Sequence, residues 1–174
     1  GKNFIPKDMT IQDFGVSYEE LEPFFDYAEK VFGTSGQAWT VNGKLVGEGK
    51  GGNPYAPDRS DHFPLVSQKN TYSAQLFQKA ANEVGYKPYN LPSANTSGPY
   101  TNPYGAQMGP CNFCGFCSGY VCYMYSKASP NVNILPALKP LPNFELRPDA
   151  HVIRVNLDST KSKATGVTYI DALG

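Results

Sequence analysis

The sequence predicts an α+β chain, mostly helices and long loops followed by a small strand-rich tail. Three observations carry that reading. Two stretches repeat apolar residues at three- and four-residue steps, which is the helical period. The 17 glycines and 15 prolines fall mostly outside those stretches, where they favour turns over regular elements. β-Branched and aromatic residues then crowd the run from 150 to 171 and partly alternate, as strands do.

The first element is "GVSYEELEPFFDYAEKVFG", residues 15–33. Ser17 and Glu20 have the spacing of a capping box, in which each side chain satisfies a free N–H at the helix start. Leu21, Phe24, Phe25, Ala28 and Phe32 form one apolar stripe. Pro23 sits beyond the first turn and predicts a kink or a restart. Gly33 ends the helix. Residues 33–70 read as loop. That length is unusual inside a compact domain and is found in lids, interfaces and plain surface loops. A second helix follows in "TYSAQLFQKAANEVGY", with Leu76, Phe77, Ala80, Ala81 and Val84 on one face and Gly85 as its stop. Exposed apolar surface is expected on both helices where partner segments are absent.

Residues 87–110 carry five prolines and no periodic pattern. "KASPNVNILPALKP" predicts a short helix with Ser129 as cap, Pro130 in the first turn and Pro136 as its limit. "NFELRPDAHVIRVNLD" and "ATGVTYID" are β in character, with "DSTKSK" as the turn between them. The chain has no internal repeat. Its N-terminus lacks an initiating Met and a leader pattern, and its C-terminus stops just after a strand has formed. Both ends lead us to expect a segment from inside a longer chain.

Composition removes some functions. Lys+Arg and Asp+Glu both number 15, so no basic excess exists to bind nucleic acid or a membrane surface without sequence preference. No apolar run is long enough for a spanning helix. "GEGKGG", residues 47–52, has neither a preceding strand nor a following helix and is not a dinucleotide fingerprint.

All four cysteines lie in "GPCNFCGFCSGYVC", residues 109–122. Cys111, Cys114, Cys117 and Cys122 are separated by two, two and four residues. Structural disulfides usually staple distant segments, and a framework bunched into one loop ties nothing else down. Structural zinc normally takes two ligand pairs set a dozen or more residues apart. Thiolates in series at two-residue spacing suit an iron–sulfur cluster. Gly109, Gly115 and Gly119 let main-chain N–H groups approach the sulfurs, and Phe113, Phe116 and Tyr120 can exclude water. The gap of four departs from the ferredoxin run, and a three-iron cluster needs only three thiols. Disulfide, zinc, cluster and free thiols all stay open on the residues alone.

"PKDMTIQDFGVSYEELEPFFDYAEKVFG", "TSGQA", "GGNPYAP", "CNFCGFC", "YSKASP" and "FELRPDAHVIRV" followed by "ATGVTYID" together resemble the large flavoprotein subunits of the gluconate 2-dehydrogenase, fructose dehydrogenase and sorbitol dehydrogenase group. These are glucose–methanol–choline (GMC) oxidoreductases, and the resemblance covers nearly the whole chain. It implies FAD on a Rossmann-like domain and oxidation of a sugar, sugar-acid or polyol CH–OH group by hydride transfer to the flavin. It further implies a 3Fe-4S cluster in this subunit, a small subunit, and a multihaem cytochrome c subunit that receives the electrons. The enzyme would work at the periplasmic face of the bacterial inner membrane, held there only through its partners.

The resemblance also divides the chain. Residues 1–108 become an interdomain and substrate-cap region, 109–126 the cluster loop, and 127–174 a helix and strands of an incomplete FAD-binding domain. Three of Cys111, Cys114, Cys117 and Cys122 would hold the cluster, with Cys111, Cys117 and Cys122 favoured. The main chain at Val152 would touch the FAD adenine. The catalytic base is expected C-terminal to this segment, so His62 and His151 are not it, and the segment alone is expected to be inactive. The alternative is a non-enzymatic interaction module clasped by zinc or disulfides.

Overall fold

The computed structural model describes residues 8–10, 14–115 and 117–172. The chain separates into two compact units, Gly1–Ala137 and Leu138–Gly174. Among the described residues it is a mixture of helices and two-stranded antiparallel pairs, in keeping with the α+β expectation.

In the first unit, helix α1 spans Tyr18–Phe32. The capping box forms as expected. The Glu20 amide donates to the Ser17 hydroxyl at 3.2 Å, and the Ser17 amide donates to the Glu20 carboxylate at 2.7 Å. Gly33 ends the helix in the left-handed region, φ 66°, which costs glycine no Cβ clash. The expected restart at Pro23 does not occur, and α1 is one element through it. The acceptor freed by the missing N–H is the carbonyl of Glu19, an exposed residue in the first turn, where solvent can reach it.

The inward face of α1 carries polar anchors beside the buried Val31. Glu22 is buried and accepts from the Ser60 amide (2.8 Å) and hydroxyl (2.9 Å). Glu29 pairs with both terminal nitrogens of Arg59, whose guanidinium also lies 4.0 Å over the Phe63 ring. Lys30 bridges Asp26 (2.9 Å) and Asp61 (2.8 Å). These bonds hold the 58–63 segment on the helix. The phenylalanines of the apolar stripe, Phe24, Phe25 and Phe32, are exposed, Phe24 at 70%, while Leu21 and Ala28 are half-buried.

The long 33–70 loop is ordered around Ser35, which is fully buried. Its main chain exchanges two hydrogen bonds with Ser93 (2.8 and 2.9 Å), and the Gly36 amide donates to Leu65 O at 2.9 Å. The Ser35 hydroxyl donates to Asn95 O at 2.7 Å and accepts from the Ser97 amide at 2.8 Å. A Cβ on Gly36 would stand 2.6 Å from the Phe63 ring, so only glycine lets that ring pack here. The loop also contains a small hairpin, β1 (Thr40–Val41) with β2 (Lys44–Leu45). Its Asn42-Gly43 turn has positive φ at both residues, 49° and 73°, as two-residue hairpins prefer.

Helix α2, Tyr72–Glu83, is capped by Thr71 and followed by Gly85 at φ 82°. Only Ala81 of its apolar face is buried, and Phe77 is 71% exposed. The stretch read as irregular holds a second small hairpin, β3 (Tyr100–Thr101) with β4 (Gln107–Met108). Asn102 organises it. Its carboxamide nitrogen donates to Val31 O (3.1 Å) and Asn133 O (2.7 Å), and its oxygen accepts from the Tyr104 and Ala106 amides. The expected short helix is two single turns, α3 (Pro130–Asn133) and α4 (Leu135–Leu138), broken at Ile134. Ser129 occupies the cap position without a side-chain bond, and Pro136 stands in the first turn of α4, where its missing N–H is not needed.

The second unit is an antiparallel ribbon of β5 (Ala150–Leu157) and β6 (Ala164–Asp171). Asp158 builds the connecting turn, accepting from the Ser162 amide (2.9 Å) and the Thr160 hydroxyl (3.0 Å). Two register shifts, between Val152 and Arg154 and between Asn156 and Leu157, bend the ribbon. Each strand is paired on one edge only among the described residues.

Candidate functional site

The cysteine loop leaves and rejoins the first unit at one buried point. Thr96 and Ser126 are both fully buried. The Thr96 hydroxyl bonds Gly109 O at 2.5 Å and the Ser126 hydroxyl at 3.1 Å, and the Thr96 amide donates to Ser126 O at 3.1 Å. The Cys111 amide donates to Thr96 O and the Ala128 amide to Ala94 O, both at 2.8 Å. Segment 94–96 therefore stitches both ends of the loop together. Gly109 is required here. A Cβ on it would stand 2.4 Å from Met124 O, so the outgoing and returning strands touch through main chain alone.

Between those ends the chain turns sharply. Phe113 and Tyr125 hold positive φ, 51° and 55°, an uncommon state for bulky residues that tends to collect at functional sites. Gly119 turns at φ 78°. The loop closes through Lys127, whose ammonium donates to Cys117 O and to Tyr120 O. Asn112 donates to the Tyr123 hydroxyl at 2.8 Å.

All four cysteines are unpaired thiols, with Cys111 and Cys122 half-buried and Cys114 and Cys117 exposed. Cys114, Cys117 and Cys122 line one cavity of about 250 Å³, together with Tyr120, Val121, Tyr123 and Lys127. Cys111 is not among its lining residues. Burial pushes the Cys122 thiol up, but the main-chain amides of Lys127, Ser126 and Met124 and the Lys127 charge prevail and hold it below the ordinary thiol value. Amide donors converging on a sulfur favour its thiolate form, the form that binds metal.

Among the described residues no group of three or more His, Cys, Asp and Glu could hold a metal ion. A cluster asks for a different arrangement, since its cysteines sit on separate iron atoms rather than around one. Cys114, Cys117 and Cys122 share the lining of one mostly apolar cavity, and Cys122 is already supplied with amide donors.

Of the aromatic residues expected to wall the site, Tyr120 lines the cavity and Phe113 is half-exposed at a turn, while Phe116 lies outside the described residues. Gly115 has open space around it. His62 and His151 are both exposed, the first in a loop and the second on β5. Val152 is 52% exposed and pairs with Tyr169. The sequence reading missed Thr96, Ser126 and Lys127. The signal that could have found Lys127 is a lone cation directly after the cysteine run.

A larger cavity, about 300 Å³, lies between α1 and the loops, with Tyr18, Trp39, Phe63 and Tyr89 as aromatic walls and Glu29 paired to Arg59 beside it. Contrary to expectation, a strand, the two-residue β2, does precede segment 47–52, but only a single 3₁₀ turn, Gly47–Gly49, follows it and no α-helix opens there.

No family model matches the chain. Over all 174 residues it is 75% identical to the gluconate 2-dehydrogenase flavoprotein of Pantoea cypripedii, of which it spans 28%. It is 28% identical over 104 residues to the fructose dehydrogenase large subunit of Gluconobacter japonicus, covering 56% of this chain and 17% of that protein. It is 26% identical over 155 residues to paromamine 6'-oxidase of Streptomyces fradiae, covering 89% and 24%. The chain thus spans under a third of the length of the curated relatives it matches. Its likeness to a gluconate 2-dehydrogenase flavoprotein runs from end to end.

Proposed function

We propose that this chain belongs to an FAD-dependent oxidoreductase acting on the CH–OH group of a sugar, sugar acid or polyol. Its own part would be to carry electrons away from the flavin. The likeness over the whole chain supports the enzyme class. The observation that carries the electron relay is the cavity lined by Cys114, Cys117 and Cys122. When bound, FAD supplies a hydride acceptor and a 3Fe-4S cluster supplies single-electron steps.

The residues divide that task. Cys117 and Cys122 are the two ligands common to both assignments of the site. The cavity lining favours Cys114 as the third, and the family resemblance favours Cys111. Tyr120, Val121 and Tyr123 line the same cavity but are themselves largely exposed, Val121 at 97%, so within this segment the sulfurs stay open to solvent. Thr96 and Ser126 fix the loop ends, so the thiols are held before any metal arrives. Residues 1–108 would form the cap and interdomain region, 109–126 the cluster loop, and 127–174 part of the FAD domain. In that last part, Val152 would offer main-chain groups to the adenine from the unpaired edge of its ribbon. The substrate proton would leave to a base outside this segment. A small subunit and a multihaem cytochrome c would take the electrons at the periplasmic face of the inner membrane.

The test is stopped-flow kinetics on the anaerobically purified native protein, with single serine replacements at the four cysteines. Cys117→Ser and Cys122→Ser should leave flavin reduction by substrate intact and abolish fast transfer of electrons onward. Only one of Cys111→Ser and Cys114→Ser should do the same, which identifies the third ligand. Unchanged onward transfer in Cys117→Ser and Cys122→Ser would refute the relay. A colourless wild-type protein carrying one zinc would favour the interaction module instead.

A further inference from the structure

Lys127 stands at the closure of the cysteine loop. Its main chain is held in a bridge to Asn95, next to the fully buried Ser126, so its side chain springs from a fixed base. The ammonium then reaches over the loop to the carbonyls of Cys117 and Tyr120, the second at 2.8 Å. Those two carbonyls flank the turn at Gly119, and the Tyr120 amide itself faces Cys117 O at 3.5 Å. Lys127 also lines the cavity with Cys114, Cys117 and Cys122. Among the described residues of that lining it is the only one with a permanent charge.

The Lys127 ammonium, half-buried among exposed residues, acts only on groups in its immediate reach, because solvent and salt screen it beyond that. It favours whichever state of its neighbours is more negative. Thiolates and any electron added beside them both qualify. We propose that Lys127 is the positioning residue of this site, closing the turn between Cys117 and Cys122 and raising the reduction potential of the group the thiols hold. The inference rests on the relay reading above. Reduction here means the gain of one electron, with no bond made or broken by Lys127.

Two effects are separable. Closing the turn needs donors to two carbonyls, whereas raising the potential needs charge. Lys127→Gln keeps N–H donors and removes the charge. Lys127→Arg keeps both. Lys127→Met removes both. The test is a redox titration monitored by electron paramagnetic resonance, with iron and acid-labile sulfide measured in parallel, on the anaerobically purified native protein. For Lys127→Gln, iron content should stay and the one-electron equilibrium should move about tenfold toward the oxidised state, about 59 mV. For Lys127→Arg the equilibrium should stay within about threefold of wild type. For Lys127→Met, iron content should fall. Wild-type potential and iron content in both Lys127→Gln and Lys127→Met would overturn the proposal and leave the relay reading standing. Wild-type protein without iron and sulfide would overturn both.

Discussion

Replacing Thr96 by valine tests whether one buried hydroxyl holds the cysteine loop. Valine keeps the shape and the γ-methyl, which packs close to Gly33, and removes only the oxygen. The Gly109 carbonyl then loses its bond from the Thr96 hydroxyl, while the Ser126 hydroxyl keeps its own bond to the Thr96 carbonyl at 3.2 Å. An unsatisfied buried group costs about 1–3 kcal/mol. Gly109 is half-buried and can recover water, and Ser126 stays satisfied, which places the cost at about 1–2 kcal/mol. That is roughly five- to thirty-fold in a local opening equilibrium. Hydrogen exchange reads it directly. The amides of Cys111 and Ala128, bonded to Thr96 O and Ala94 O, should exchange faster by that factor in Thr96→Val. Thr96→Ser keeps the oxygen, loses one methyl at about 1 kcal/mol, and should accelerate them less. Equal protection in Thr96→Val and wild type, or a larger effect in Thr96→Ser, would refute the reasoning.

Three further outcomes can be checked. Gly109→Ala forces its Cβ against Met124 O, so it should destabilise by about 1–3 kcal/mol and lower the midpoint of thermal unfolding. Arg59→Met leaves Glu29 largely buried without its partner. It should cost about 2–3 kcal/mol, less than a fully buried pair, and a cycle with Glu29→Gln should show coupling of at least about 1 kcal/mol. The hydrogen bond from Lys30, with that from the His62 amide, outweighs burial and holds the Asp61 carboxyl below its ordinary value. The bonds to Asp61 and Asp26 in turn raise Lys30 well above the usual lysine value. The carboxylate's contribution is present above its unfolded pKa and is lost as pH falls through the lower folded value. The lysine's contribution is present below its unfolded pKa and is lost only as pH rises past the higher folded one. Protection of the His62 amide, corrected for intrinsic exchange, should therefore be flat across neutral pH and decline below about pH 4, and Lys30→Met should shrink that decline while leaving the part due to the His62 amide's own bond to Asp61.

Local chemistry was readable wherever one residue decides a backbone state. Ser17, Glu20 and Gly33 announce the ends of α1, and Gly85 announces the end of α2. The Asn42-Gly43 turn was equally readable and was passed over because its strands are two residues long. What periodicity cannot show is which face of a helix meets the protein. Glu22, Glu29 and Lys30 anchor α1 through ion pairs and amide bonds to residues 58–61, and hydrophobic spacing says nothing of such partners. The core is likewise hidden, since its hubs are Ser35, Thr96, Asn102 and Ser126, small polar residues that read as loop. At the site, four cysteines in one run were plain. That Cys114 faces the cavity beside Cys117 and Cys122 was not, because the loop is shaped by positive φ at Phe113 and Gly119 and by closure through Lys127.

The central claim is that these thiols hold iron and sulfide. Iron and acid-labile sulfide analysis of the anaerobically purified native protein, with electron paramagnetic resonance of its oxidised form, tests it most directly. The account predicts about three iron atoms and about four sulfides per chain, with a resonance that vanishes on reduction and is absent in Cys122→Ser. Protein free of iron, or iron content unchanged by Cys117→Ser and Cys122→Ser, would contradict it.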